Sequence, residues 1–329
     1  MKRRDFLAAA GGALGALALP GAMGAAPAPR VLTATDVHVK DYPTVAAVRW
    51  LGEQLQRATD GRLQLRQYHS GQLGREAEAI DMARFGAIDI TRVYSGALNN
   101  AFPLTRALCL PYLFESNGHL RHALDGEVGA AVLRGFERRG LVGLAIYDSG
   151  PRCFYNTRRA IVEPRDLHGM KIRVPVSDIF IRMLRDFGAN PTPLSLGEVF
   201  SAMETHMIDG AENNIRSFQS SRHFEAAHYW SRSAHSYAPD VLLVSKRTFD
   251  SLAPRERDLL RDLGRASVAV MRTAWDASAA DAQRIVEAAG VRANDVDVAA
   301  FRRAAQPLLA EHERDPAIAG LIRRIRALA

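Results

Sequence analysis

Hydrophobic and polar positions along this chain follow two periods, and the switches between them mark out its elements. Val31 to Ala34 is a short apolar run that predicts a first strand. From Thr44 to Ala58, Val45, Val48, Leu51 and Leu55 recur at three- and four-residue spacing, which predicts an amphipathic helix. Leu63 to Tyr68 alternates and predicts a second strand. Helical spacing returns from Glu76 to Phe85 and stops at Gly86, and Ile88 begins a strand that leads to Tyr94 and Ser95. This βαβα order predicts a mainly parallel sheet with helices on both faces. Two more strands, around 141 to 147 and 152 to 156, are broken by Ser149-Gly150-Pro151. A further strand is expected at Val241 to Val244. Beyond Pro254 the spacing is helical through Leu259, Leu263, Val268, Met271 and Trp275, and the chain ends helical at Ile322 to Leu328.

The stretch from Asp166 to Asn214 concentrates the chemistry. After the turn Leu167-His168-Gly169 comes a strand, Met170 to Val174, closed by Pro175, which cannot donate to a ladder. A helix is expected from Asp178 to Phe187, stopping at Gly188. Pro191 and Pro193 hold an extended connection. Ser195 with Glu198 three residues on forms a capping box for a second helix carrying Val199, Phe200 and Met203. Asp209-Gly210 then turns into a strand that delivers Glu212, Asn213 and Asn214. Arg173 lies between Ile172 and Val174, where a guanidinium is expensive to bury without an anion. Its planar fork matches a carboxylate at two points, and Asn213 offers both a donor and an acceptor. These residues read either as an anion-binding crevice beyond the strand ends or as an ordinary α/β core with a structural Arg–Glu pair.

A faint echo joins Glu78–Asp89 to Glu198–Asp209, each a helix, a stop and a strand led by Ile-Asp. It suggests two similar lobes facing one cleft. The chain is expected to cross between them at 148 to 151, and again near His235 to Pro239.

Composition adds little that is specific. The 329 residues are 47% hydrophobic and 24% charged, enough for two lobes, with a net charge of +7. The arginines are dispersed among acids, without the basic and aromatic interleaving of a nucleic-acid surface. Cys109 lies in an apolar run and Cys153 beside Arg152; a disulfide between them would require close, well-aimed Cβ atoms. The N-terminus has a basic start at Lys2-Arg3-Arg4, an apolar run to Leu19 and small residues at Gly24 to Ala26. It reads as a signal peptide of twin-arginine type, removal of which takes two charges away and leaves +5. No other segment is apolar enough to insert in a membrane. No Gly-x-Ser-x-Gly elbow, phosphate-binding loop, His-Glu-x-x-His pair or Cys-x-x-Cys pair is present.

The runs LHGMKIRVP, GANPTPLSLGEVFSAM and DGAENN resemble the solute-binding proteins of TRAP transporters, the tripartite ATP-independent periplasmic carriers. Similar wording continues at Gly71-Gln72-Leu73-Gly74 with Glu76, Gly86 to Asp89, Leu110 to Phe114, and Ser149-Gly150 with Arg152. The likeness runs from about Thr33 to Trp275. It implies an α/β type II periplasmic binding protein fold, with two lobes around a cleft, crossing strands and a long connecting helix. The expected division is a signal peptide at 1–26, lobe I at 27–150 and lobe II at 151–238. A return to lobe I with the connecting helix follows at 239–278, and C-terminal helices packing on lobe II at 279–329.

The resemblance makes Arg173 the carboxylate-binding arginine, Asn213 its partner and Arg152 a second arginine. It brings His38, Glu76 and Tyr94 from the other lobe to read hydroxyl groups, and sets His235 behind Asn213. Leu196 stands where some members carry an aromatic that closes over the ligand. It implies a periplasmic, non-enzymatic protein that needs no cofactor or metal. Such a protein captures a small organic acid, here resembling the hexuronate binders, and delivers it to the TRAP membrane permease subunits. A C4-dicarboxylate ligand, or a sensor role for a sugar acid, are the alternatives. Gly150, Pro151 and the His235 region are the expected hinges.

Overall fold

The computed structural model describes residues 28–329, so the expected signal peptide lies outside the described residues. Eleven strands occur in chain order among these residues: β1 (Arg30–Thr35), β2 (Leu63–Tyr68), β3 (Ile90–Tyr94), β4 (Leu141–Tyr147), β5 (Arg152–Asn156), β6 (Lys171–Val174), β7 (Asn190–Pro193), β8 (Gly210–Asn213), β9 (Tyr229–Ser236), β10 (Asp240–Ser245) and β11 (Arg292–Asp295). They form two sheets. The first has the order β2-β1-β3-β10-β4 and the second β11-β9-β5-β8-β6-β7.

Parallel pairing holds where helices connect the strands, as between β1 and β2 and between β1 and β3. The first sheet is nonetheless mixed. β10 enters from the other lobe and lies antiparallel between β3 and β4. That entry is a consequence of the two crossings. After β4 the chain passes through Gly150, whose φ of +68° suits glycine and whose missing Cβ would meet the Trp275 ring at 3.0 Å. After β9 it returns through residues 237–239 into β10. Pro191 and Pro193 do not prevent pairing, because β7 sits at a sheet edge against β6.

A 35-residue helix, Pro254–Ala288, ties the lobes together. Its buried stripe of Leu260, Gly264, Ser267, Met271 and Trp275 follows helical spacing. It packs on the helix Pro43–Ala58 and on β4 in the first lobe, and on the helix Ile215–Ser220 in the second.

The C-terminal helices divide between the lobes, which corrects the expectation that residues 279–329 pack on the second alone. Val298–His312 lies on Asp178–Asp186 of the second lobe, with Phe301 against Phe187 at 5.1 Å and Phe154 at 5.7 Å. Pro316–Arg326 packs instead on residues 103–108 and on Glu127–Arg134 of the first, where His119 Nε2 meets the Ile325 carbonyl at 2.8 Å. The polar-apolar pattern of that helix fixes its buried face but not the surface it meets. Both cysteines are buried and free. Among the described residues no helix is long and apolar enough to cross a membrane.

Candidate functional site

The strand ends of the two sheets face one another across a tight cavity of about 40 Å³ between the lobes. Six of the seven expected site residues line it: His38, Glu76, Tyr94, Arg152, Arg173 and Asn213. Tyr42, Ser149, Asn214, Ser217 and Asp240 complete its polar wall, and Leu196 and Pro175 add apolar surface.

Arg173 reaches the cavity from β6. It is 3% exposed, and its Nε and Nη2 both donate to the Leu194 carbonyl, at 2.8 and 2.6 Å. Among the described residues no carboxylate pairs with it. Burial accordingly pulls the guanidinium pKa below its ordinary value, since the charge is desolvated without a counter-ion. One side of the fork is fixed by a neutral carbonyl, and Nη1 is left free for an anion.

Arg152, at the start of β5, differs. Nε and Nη2 donate to the two carboxylate oxygens of Glu212 at 2.6 and 2.9 Å, Nη2 also reaches the Glu212 carbonyl at 3.0 Å, and Nη1 donates to Asn213 Oδ1 at 3.1 Å. Burial works against the Arg152 charge, but Glu212 more than offsets it and holds the pKa above the ordinary value. Four of its N–H···O contacts are internal, so it presents far less free donor capacity than Arg173. Asn213 Oδ1 is occupied by Arg152 and by the Asn214 backbone N–H at 2.8 Å, which leaves its amide nitrogen for a ligand.

His235 does not line the cavity. The expectation that it backs Asn213 is corrected: its Nε2 lies 3.3 Å from Glu212 Oε2, and its Nδ1 2.8 Å from Ser233 Oγ. The ring stacks on Phe154 at 4.3 Å. It braces the carboxylate that braces Arg152.

The first lobe supplies a wall of opposite character, organised by a residue the sequence reading missed. Arg92, on β3, is 1% exposed and meets three acids. Its Nε donates to Asp36 Oδ2 at 2.9 Å, and Nη1 donates to Asp240 Oδ1 at 3.0 Å and Glu76 Oε1 at 3.3 Å. The cue was the one that singled out Arg173, an arginine inside an apolar strand. Glu76 opens the helix Glu76–Phe85, but its carboxylate turns inward, where Oε1 also accepts from the Tyr94 backbone N–H at 3.1 Å. Burial raises the pKa of both Glu76 and Asp240, despite the opposing pull of Arg92. His38 directs Nδ1 at Asp36 and Arg92, stacks on Tyr42 at 3.7 Å, and keeps Nε2 for the cavity. Tyr94 lines the cavity, and its hydroxyl is buried without a hydrogen-bond partner.

Side-chain contacts bridge the cleft beside the cavity. Tyr42 Oη meets Ser217 Oγ at 2.9 Å, Asn99 Nδ2 donates to Ser177 Oγ at 3.1 Å, and Arg75 pairs with Glu198 at 3.1 Å. Among the described residues no group of three metal-ligating side chains converges.

The sequence model of the family described as DctP, bacterial extracellular solute-binding protein family 7, matches residues 35–315. The chain belongs to this family. Its fold is that of TRAP periplasmic solute-binding proteins. One such protein from Xanthobacter autotrophicus, with bound β-D-galacturonate, superposes with a TM-score of 0.88 at 43% identity over 90% of this chain and 99% of that one. Another from Citrobacter koseri, with bound D-glucuronate, gives a TM-score of 0.87 at 35% identity over 90% and 99% of the two chains. A solute-binding protein of Chromohalobacter salexigens is 32% identical over 274 residues, 83% of this chain and 82% of the relative.

Proposed function

We propose that this member of the family captures a hexuronate, such as galacturonate or glucuronate, in the periplasm and hands it to a TRAP membrane permease. The observation that carries the reading is the buried, unpaired Arg173 guanidinium opening on the cavity. A ligand carboxylate supplies the counter-charge that the fold withholds. Asn213 and the remaining Arg152 N–H steady the same group. The hydroxyls of the ring then meet Glu76, Asp240 and His38, which accept or donate where a sugar is rich in O–H.

The opposed walls favour a monoacid over a C4-dicarboxylate. Arg92 carries one charge against Asp36, Asp240 and Glu76, so a second ligand carboxylate on that side would meet a surplus of acid. The neighbours that carry galacturonate and glucuronate agree with this chemistry. Binding proceeds without bond-making: the lobes hinge about residues 148–151 and 237–239, and ligand contacts on both walls favour the closed form. Titration calorimetry with D-galacturonate, D-glucuronate and succinate tests the reading. The acid sugars are expected to bind and succinate to fail; a preference for succinate would defeat it.

A further inference from the structure

A groove of about 640 Å³ adjoins the cavity. Val37, Glu76, Tyr94, Arg173, Pro175 and Leu196 form wall in both, so a substituent leaving the cavity past Glu76 and Arg173 enters the groove. Further out, the groove mixes aliphatic surface with polar groups. Val176, 60% exposed, Leu194 and Ala97 lie among Ser70, Asn100 and Ser195. A pyranose ring has the matching make-up, an apolar C–H face rimmed by hydroxyls. Arg75 and Glu198 bridge the groove through an exposed ion pair, a contact of small energetic worth that a ligand can displace.

We propose that the site accepts uronides, molecules in which a hexuronate carries a second sugar unit through a glycosidic oxygen. The acid ring occupies the cavity and the second ring the groove. This rests on the hexuronate reading of the cavity, and extends its ligand class from monosaccharide to disaccharide acids. The occupant of the groove is the ligand's own continuation because the two spaces share the residues that hold the acid ring.

Gly197 makes the proposal testable. It lines the groove and not the cavity, has no heavy atom within 4 Å of where a Cβ would stand, and does not use a left-handed backbone. Gly197→Phe therefore fills the groove without a clash at Cβ. The experiment is calorimetry on the full exported chain with galacturonate and digalacturonate. The unmodified protein is expected to bind both within about tenfold of each other. Gly197→Phe is expected to keep galacturonate and lose digalacturonate by more than about thirtyfold. Unmodified protein that binds galacturonate but not digalacturonate overturns the proposal and leaves the hexuronate reading intact. Failure with both sugars defeats the two readings together. Undiminished digalacturonate binding by Gly197→Phe also overturns it. Should that variant weaken both sugars, Asn100→Trp on the opposite wall decides: loss of the disaccharide alone supports the proposal, and equal loss overturns it.

Discussion

Arg152 and Glu212 form a two-point ion pair at 2.6 and 2.9 Å, wholly inside the second lobe. The pair occupies Glu212 and leaves Arg173 without a carboxylate partner. Two guanidinium charges against one carboxylate leave one positive charge on that wall, and it resides on the arginine without a partner. In the proposed reading, anion binding and wall-building are divided between two arginines that the sequence presents alike.

Arg173→Met is expected to have opposite effects on binding and on fold. Loss of the charge-assisted contact should weaken the acid sugar by about 2–5 kcal/mol. The ligand-free protein should be no less stable, because relief of an uncompensated buried charge offsets the loss of its two hydrogen bonds to the Leu194 carbonyl. Calorimetric titration reads the first effect and the ligand-free melting temperature the second. Arg173→Lys should also fail to restore binding, since an ammonium cannot present the planar fork.

Glu212→Gln should show the reverse balance. It breaks a buried pair from one side and leaves Arg152 uncompensated, which typically costs about 3–5 kcal/mol. Urea denaturation should show a lower midpoint with an unchanged slope. Arg152 then competes with Arg173 for the ligand, so binding should persist at temperatures where the variant remains folded.

Stability should fall as the solution is acidified below about pH 6.5. Burial lowers the pKa of His38 and His235 below the ordinary 6.5 and pushes His223 down to about 3. In that window the unfolded chain takes up protons that these imidazoles refuse in the fold, so each contribution is complete above pH 6.5 and is lost on descent. Glu212 acts in the same direction lower down: burial opposes ionisation, but Arg152 and His235 hold its pKa below the ordinary 4.5. Glu76 and Asp240 oppose the trend, because their pKa values are raised and their penalty fades as acid is added. Denaturation at several pH values should give a positive slope of stability against pH through the imidazole window. His223→Asn should flatten it.

Much of this site was legible because strands advertise misplaced charge. Arg173 stands out between Ile172 and Val174, and β8 presents Asn213 where an α/β sheet binds ligands. Arg92 gave the same cue between Thr91 and Val93, but its meaning depends on Asp36 and Asp240, 56 and 148 residues away, and periodicity carries no such pairing. β9 escaped notice because Tyr229–Ser236 is rich in polar residues, although most of its positions are buried in the second sheet. His235 was placed in the right region and given the wrong neighbour, for a turn or bulge of one residue decides whether an imidazole reaches Asn213 or Glu212. β5 and β9 shift register between Arg152 and Phe154, and no sequence pattern announces it.

Glu76→Gln should relax selection between monoacids and diacids. The carboxylate lies 3.3 Å from Arg92 Nη1 and lines the cavity, so under the hexuronate proposal it accepts hydroxyl donors and repels a second ligand carboxylate. The amide keeps an acceptor oxygen but removes the charge, which leaves Arg92 balanced by Asp36 and Asp240 and takes one unit from the acid surplus. Affinity for galacturonate should fall modestly, by about tenfold, as a charge-assisted acceptor becomes a neutral one. Affinity for galactarate, which has a carboxyl at both ends, should rise or hold. The ratio of the two dissociation constants measures the effect. If the ratio stays that of the unmodified protein, rejection of the second carboxylate must come from shape rather than from charge at this wall.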